Sequence, residues 1–149
     1  MPEYQLAQLN IAAMKYSMDS TEMADFVANL DDINNLADNS PGFIWRLQSE
    51  NGNATEIRLF GENTLVNLSV WRDLESLRAF VYGTAHAAIM RRRREWFERF
   101  KEAYMVLWWV PAAGLPCLED ARSRLELLQE KGASPDAFSF SDPFNAPGM

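Results

Sequence analysis

Apolar and polar positions change period several times along this chain, and each change marks an element. From residue 5 to 13 they alternate: Ala7, Leu9 and Ile11 fall on one side, Gln8 and Asn10 on the other. A period of two is that of a strand. Met23, Phe26, Val27, Leu30, Ile33, Leu36 and Ala37 then recur at spacings of three and four, behind a cap signal at 20–23. That spacing predicts an amphipathic helix, ended by the breakers of 39–42. Residues 43–48 read as a strand, 50–53 as a turn, 55–60 as a short strand or irregular return, and 65–71 as a clear strand. Asp73 can cap a long helical region running to about Phe100, interrupted near Gly83 and Thr84. Residues 104–110 are apolar throughout and read as a buried strand; 118–129 read as a terminal helix closed by Gly132. The stretch from 133 onward is rich in Pro, Gly, Ser and Asp, with a short strand signal at 137–140. One domain over 1–140 and a flexible tail over 141–149 follow.

The order is strand–helix–strand–strand–helix–strand, then an extra helix. This is the α+β, ferredoxin-like βαββαβ plan: an antiparallel sheet with helices on one face. It leaves the other face bare, so a homodimer paired through the sheet is expected.

In that plan strands one, three and two are neighbours. Gln8, Asn10, Arg46, Gln48, Asn67 and Ser69 then form one mixed face, opposite an apolar one. Trp71 and Trp108 add aromatic surface to the mixed face. Polar residues on three adjacent strands are not needed for folding and cost stability when covered unless paired. They read as a pocket with aromatic walls and a few convergent polar groups, or else as a solvated face or a wet interface.

Composition narrows the chemistry. The 149 residues carry a net charge of −7, which repels phosphate and argues against nucleic-acid binding. A single cysteine, Cys117, and a single histidine, His86, exclude an internal disulfide and a His- or Cys-rich metal cage. No apolar run approaches the ~20 residues of a membrane helix, and the first residues lack a signal-peptide pattern. A cytoplasmic, non-membrane protein is expected. No phosphate-binding glycine loop, HExxH or nucleophile elbow is present in the sequence.

The charge is uneven. Residues 72–101 hold eight of the 14 basic residues and four of the 21 acidic ones, a local +4. His86 lies inside this segment, and at helical pitch Tyr82, Met90, Arg93 and Phe97 fall on or beside its face. His86 reads as an acid–base group, donor or haem ligand aimed at the pocket, or as a structural histidine bonded to a backbone carbonyl. In the run Arg91-Arg92-Arg93-Arg94 four successive side chains point in four directions. Arg93, on the His86 face, can pair with a substrate carboxylate, phenolate or enolate; in the plainer reading arginines in the last turns of a helix favour its dipole and bind carboxylates such as Glu95 or Glu98.

The blocks Leu6-Ala-Gln-Leu-Asn-Ile11, Ser40-Pro-Gly-Phe-Ile-Trp-Arg-Leu-Gln48, Leu65-Val-Asn-Leu-Ser-Val-Trp71, Leu77-Arg-Ala-Phe-Val-Tyr82, Arg91-Arg-Arg-Arg-Glu-Trp-Phe97 and Leu107-Trp-Trp-Val-Pro111, with His86, resemble a bacterial family. That family is domain of unknown function 3291, and the likeness runs from about residue 5 to 140. The resemblance implies a dimeric α+β barrel related to antibiotic-biosynthesis monooxygenases. Cofactor-independent enzymes of that kind use an Asn and a Trp four apart on a strand, lining a pocket for polycyclic phenols. Asn67 and Trp71 have that spacing. A histidine follows the Trp on the next helix in many members, sooner than the 15 residues that separate Trp71 from His86.

The expected function is a tailoring enzyme of secondary metabolism. An aromatic or polyketide-like substrate would bind against Trp45, Trp71, Trp108, Tyr82 and Ser69. Asn67 and His86 would assist deprotonation or hold an oxyanion, and Arg46 or Arg93 would stabilise the anion for reaction with oxygen. No metal or cofactor is expected. The alternatives are a cyclase or isomerase using the same pocket, a non-enzymatic binder of hydrophobic metabolites, and a haem protein ligated through His86.

Overall fold

The alternation of the first strand carries through to three dimensions. The computed structural model describes residues 4–17, 19–47, 64–83, 85–99, 103–112 and 114–147. The turn expected at 50–53 and the short strand at 55–60 lie outside them. The elements are β1 (Tyr4–Ala13), α1 (Ala24–Asp38), β2 (Phe43–Arg46), β3 (Thr64–Trp71), α2 (Leu74–Gly83), α3 (Ala85–Arg91), α4 (Arg93–Trp96), β4 (Met105–Pro111) and α5 (Leu118–Lys131). The strands form one sheet in the order β2-β3-β1-β4, antiparallel at every pairing. This is the ferredoxin-like arrangement.

Local chemistry explains most boundaries. Asp73 caps α2 through its carboxylate, which accepts from the Ser76 N–H at 2.8 Å. Burial pushes the Asp73 carboxyl up, but hydrogen bonds from Ser76 and Arg72 outweigh it and hold the group below its ordinary range. The long helical region breaks after Gly83 and again at Arg92, and ends at Trp96. The cap expected at Ser20 is not made. Its hydroxyl donates to the Ser17 carbonyl at 2.6 Å, and α1 starts at Ala24 with Met23 as N-cap. Gly42 has φ +83, and a Cβ there would lie 2.1 Å from Ser76 Oγ. Only glycine lets the start of β2 sit against the first turn of α2.

The two sheet faces are covered by different helices. Ala7, Leu9, Ile11, Val66, Leu68, Val70, Val106, Trp108 and Val110 pack with Ala121, Leu125 and Leu128 of α5. Leu6, Trp71 and Leu107 pack with Ala37 of α1, Leu77 and Phe80 of α2, and Phe138. The helices of the βαββαβ unit share one face, and the additional α5 takes the other. Within one chain Leu9, Val70, Val106 and Trp108 are all 0 % exposed. On this face the C-terminal helix α5 packs against β4 and β1.

The residues after α5 are also built into the fold. The short strand signal at 137–140 becomes a bridge, in which Phe138 and Leu107 exchange N–H···O bonds of 2.8 and 2.9 Å along the outer edge of β4. Beyond it, within the stretch read as a tail, Trp109 Nε1 donates to the Phe144 carbonyl at 2.9 Å and Ala146 is buried. Among the described residues no helix is long and apolar enough to cross a membrane.

Candidate functional site

Between the mixed face of the sheet and helices α1 to α4 lies a cavity of about 1000 Å³, the size of a site for a drug-sized ligand. Its floor is set by register. Gln8 pairs with Ser69, Asn10 with Asn67, and Leu6 with Trp71, so these side chains project to one side. The polar ones are joined. Gln8 Nε2 donates to Ser69 Oγ at 2.7 Å and to Asn67 Oδ1; Asn10 Nδ2 donates to Gln8 Oε1 at 3.0 Å. Trp71 Nε1 donates to Ser69 Oγ at 2.9 Å. Ser69 Oγ therefore accepts twice, which turns its own proton outward as a donor, and Asn67 keeps its Nδ2 donors. The floor is a satisfied network that presents N–H and O–H groups to whatever lies above it.

The wall above it is aromatic. Trp71 stacks on Phe80 with centroids 5.2 Å apart and meets the edge of Phe43 at 5.3 Å. Phe80 packs against His86 at 4.9 Å. His86 Nδ1 lies 3.4 Å from the Val81 carbonyl, which can only accept, so Nδ1 carries the proton and Nε2 the lone pair. Burial lowers the His86 pKa and outweighs the opposing effect of the Val81 carbonyl, so the ring is neutral at pH 7. Tyr82, 64 % exposed, stands at the rim with its ring edge on Phe140 at 5.6 Å.

The electrostatics of the lining reverse those of the chain. Arg46, Arg78 and Arg93 line the cavity, and no Asp or Glu does among the described residues. Arg46 is held by Asp38 at 2.8 and 3.2 Å. Arg78 donates to the Phe140 carbonyl at 2.6 Å. Arg93 donates to the Tyr104 hydroxyl and lies over its ring at 4.2 Å. Neither Arg78 nor Arg93 makes an ion pair among the described residues. The four-arginine run separates as its helical phase requires. It is Arg92, not Arg93, that takes the carboxylates, Asp25 and Glu95 each at 2.8 Å.

Of the residues singled out by sequence, His86, Asn67, Arg93, Arg46, Ser69, Trp71 and Tyr82 line this cavity. Trp45 and Trp108 do not. Trp108 pairs with Ala7 and is buried in the α5-side cluster, so Trp109 is the β4 tryptophan on the cavity side of the sheet. Trp45 is turned away by a register shift between Phe43 and Trp45: Phe43 pairs with Trp71, whereas Trp45 pairs with Val70. Tyr104, Arg78, Phe80 and Phe140 escaped the sequence reading. The spacing of Arg78, one helical turn before Tyr82, was the available signal for one of them.

A family model described as Domain of unknown function (DUF3291) matches residues 5–149, nearly the whole chain. The chain belongs to that family. The DUF3291 match extends past residue 140 and takes in the segment that packs on β4 and α2. No curated protein matches the sequence. Among solved structures, this DUF3291 chain is similar to NE2512, a protein of unknown function from Nitrosomonas europaea, at 19 % identity, over 77 % of this chain and 97 % of that one, with a TM-score of 0.48. It is also similar to SnoaB, a cofactor-independent oxygenase from Streptomyces nogalater, at 16 % identity, over 76 % of this chain and 98 % of that one, with a TM-score of 0.48.

Proposed function

We propose that this chain is a tailoring enzyme that binds an anionic or enolisable aromatic, polyketide-like molecule in the cavity and oxidises it with molecular oxygen, without a cofactor. One observation carries the reading. In a chain of net charge −7 the described cavity lining holds three arginines and no carboxylate. Such a lining stabilises negative charge that develops during a reaction.

The step needs no more than these side chains and oxygen. A ring methylene next to a carbonyl or phenol loses a proton, which neutral His86 accepts at Nε2. Asn67 Nδ2 and Arg46 hold the enolate. The carbanion carbon bonds to oxygen and becomes a peroxide. Loss of the second C–H proton with cleavage of the O–O bond leaves a ketone and releases water, so the substrate supplies all four electrons that reduce O₂. The same enclosure would serve a cyclisation or isomerisation, which consumes no oxygen.

The site is complete within one chain in this proposal.

The test is oxygen uptake with an enolisable phenol such as an anthrone. Wild type should consume oxygen and form the quinone-type product, and His86→Ala and Asn67→Ala should each lose roughly a hundredfold in turnover while still binding. Product without oxygen uptake would favour the cyclase reading. Unchanged turnover in both variants would remove their catalytic roles, and unchanged binding as well would discredit the cavity.

A further inference from the structure

The cavity has two polar ends, and β1 runs between them. At one end Leu6 pairs with Trp71, whose neighbours Phe80 and His86 follow in contact. At the other end the Ile11 N–H donates to the Tyr104 carbonyl at 2.9 Å, and Tyr104 carries Arg93 against its hydroxyl and ring. Leu6 to Ile11 is about 16 Å of strand. The helical side agrees in direction: His86 lies in α3, and Arg93 opens α4 beyond the break at Arg92. Between the ends the apolar Leu65, Ile89, Met90 and Phe97 line the cavity beside the polar floor of Gln8, Asn10 and Asn67.

We infer that the Arg93–Tyr104 end is an anion subsite distinct from the His86–Ser69 end, so the ligand is an elongated aromatic molecule with a fixed anion, such as a carboxylate, at the end opposite the group it presents to His86. This rests on the reading of the cavity as a ligand site. The three lining arginines are not equivalent. Arg46 already has a two-bond carboxylate partner in Asp38. Arg78 is exposed and its contact is a backbone carbonyl. Arg93 is half-buried, and its contacts among the described residues are a phenol oxygen and a ring face. Those contacts orient a guanidinium without neutralising it. A planar fork fixed in this way presents its remaining N–H groups for two-point binding of a carboxylate, at no further cost in side-chain order.

Two dyes of one ring system separate the subsite from the cavity: anilinonaphthalene sulfonate, which carries an anion, and N-phenylnaphthylamine, which does not. Wild type should bind the sulfonate at least roughly tenfold more tightly. Arg93→Met should erase that preference by weakening the sulfonate alone, Arg93→Lys should retain most of it, and Arg78→Met should leave it intact. Equal affinities in wild type, or a preference that survives Arg93→Met and vanishes in Arg78→Met, would overturn the subsite while leaving the cavity standing. Failure of both dyes to bind would overturn the cavity reading and the subsite with it. Should Arg93→Met not fold, displacement from wild type decides: naphthoate should compete roughly tenfold better than naphthylmethanol, and equal competition overturns the assignment.

Discussion

On β3, Leu68 and Val70 join the cluster built with α5, while Asn67, Ser69 and Trp71 face α1 and α2. One strand thus serves two surfaces that were built to different ends. On the α5 side the buried sheet residues are apolar, and Leu9, Val70, Val106 and Trp108 are wholly buried. On the other side the same strands contribute Gln8, Asn10, Asn67 and Ser69, and the helices stand off far enough to leave a cavity of about 1000 Å³. A cavity of that size would be a heavy defect in a surface meant for packing. Stability is concentrated where packing is complete, and binding where it is not.

The sharpest break of that contrast is a pair of neighbours. Leu68→Ala, at 1 % exposure on the α5 side, should cost about 3 kcal/mol, because the filled face cannot collapse on the space left behind. Asn67→Ala, one residue earlier and exposed, should stay within about 0.5 kcal/mol. Urea denaturation of the two variants measures both. Comparable losses would mean that the cavity side also carries the fold.

The next test asks whether the polar floor is a structural unit as well as a presenting surface. Ser69→Ala removes the oxygen that accepts from both Gln8 Nε2 and Trp71 Nε1 and leaves the buried indole N–H without its partner. The expected loss is about 1–2 kcal/mol. Trp71→Phe alone loses the donor, and in the double variant the two losses should fall short of additive. Strict additivity in a denaturation cycle would show that the Ser69–Trp71 bond contributes nothing.

The same contrast explains what could be read from the sequence. β1 and β3 alternate cleanly because each has one filled and one polar face, and the set Gln8, Asn10, Asn67 and Ser69 follows directly from parity. β4 is apolar on both faces, so its pattern holds no phase, and Trp108 could not be told from Trp109. In β2 the phase is present but is shifted between Phe43 and Trp45 by an irregularity that leaves no mark on hydropathy. The role of α5 in covering the second face was hidden for another reason. A short amphipathic helix carries the same signal whichever layer it joins. The closing segment was disguised by composition: Pro, Gly, Ser and Asp dominate it, yet Phe138 and Phe144 anchor it to Trp109.

The smallest expected effect concerns the one histidine, which the cavity face holds neutral. Burial lowers the folded His86 pKa below its ordinary 6.5. As pH falls through 6.5 the unfolded chain takes up the proton before the folded one does, so acid stabilises the unfolded state. The His86 contribution is therefore fully present above 6.5, is lost as pH falls toward the folded value, and changes no further below it. Its slope cannot exceed about 1.4 kcal/mol per pH unit. His86→Gln removes the one histidine of the chain and should be flatter than wild type over this window. Thermal melts of both proteins from neutral pH downward measure the difference. Parallel curves would show that the folded state does not disfavour the imidazolium. A wild type that gains stability on acidification would mean that His86 is held by negative charge, and the proposed chemistry, which rests on a cationic lining with no carboxylate among the described residues, would fall with it.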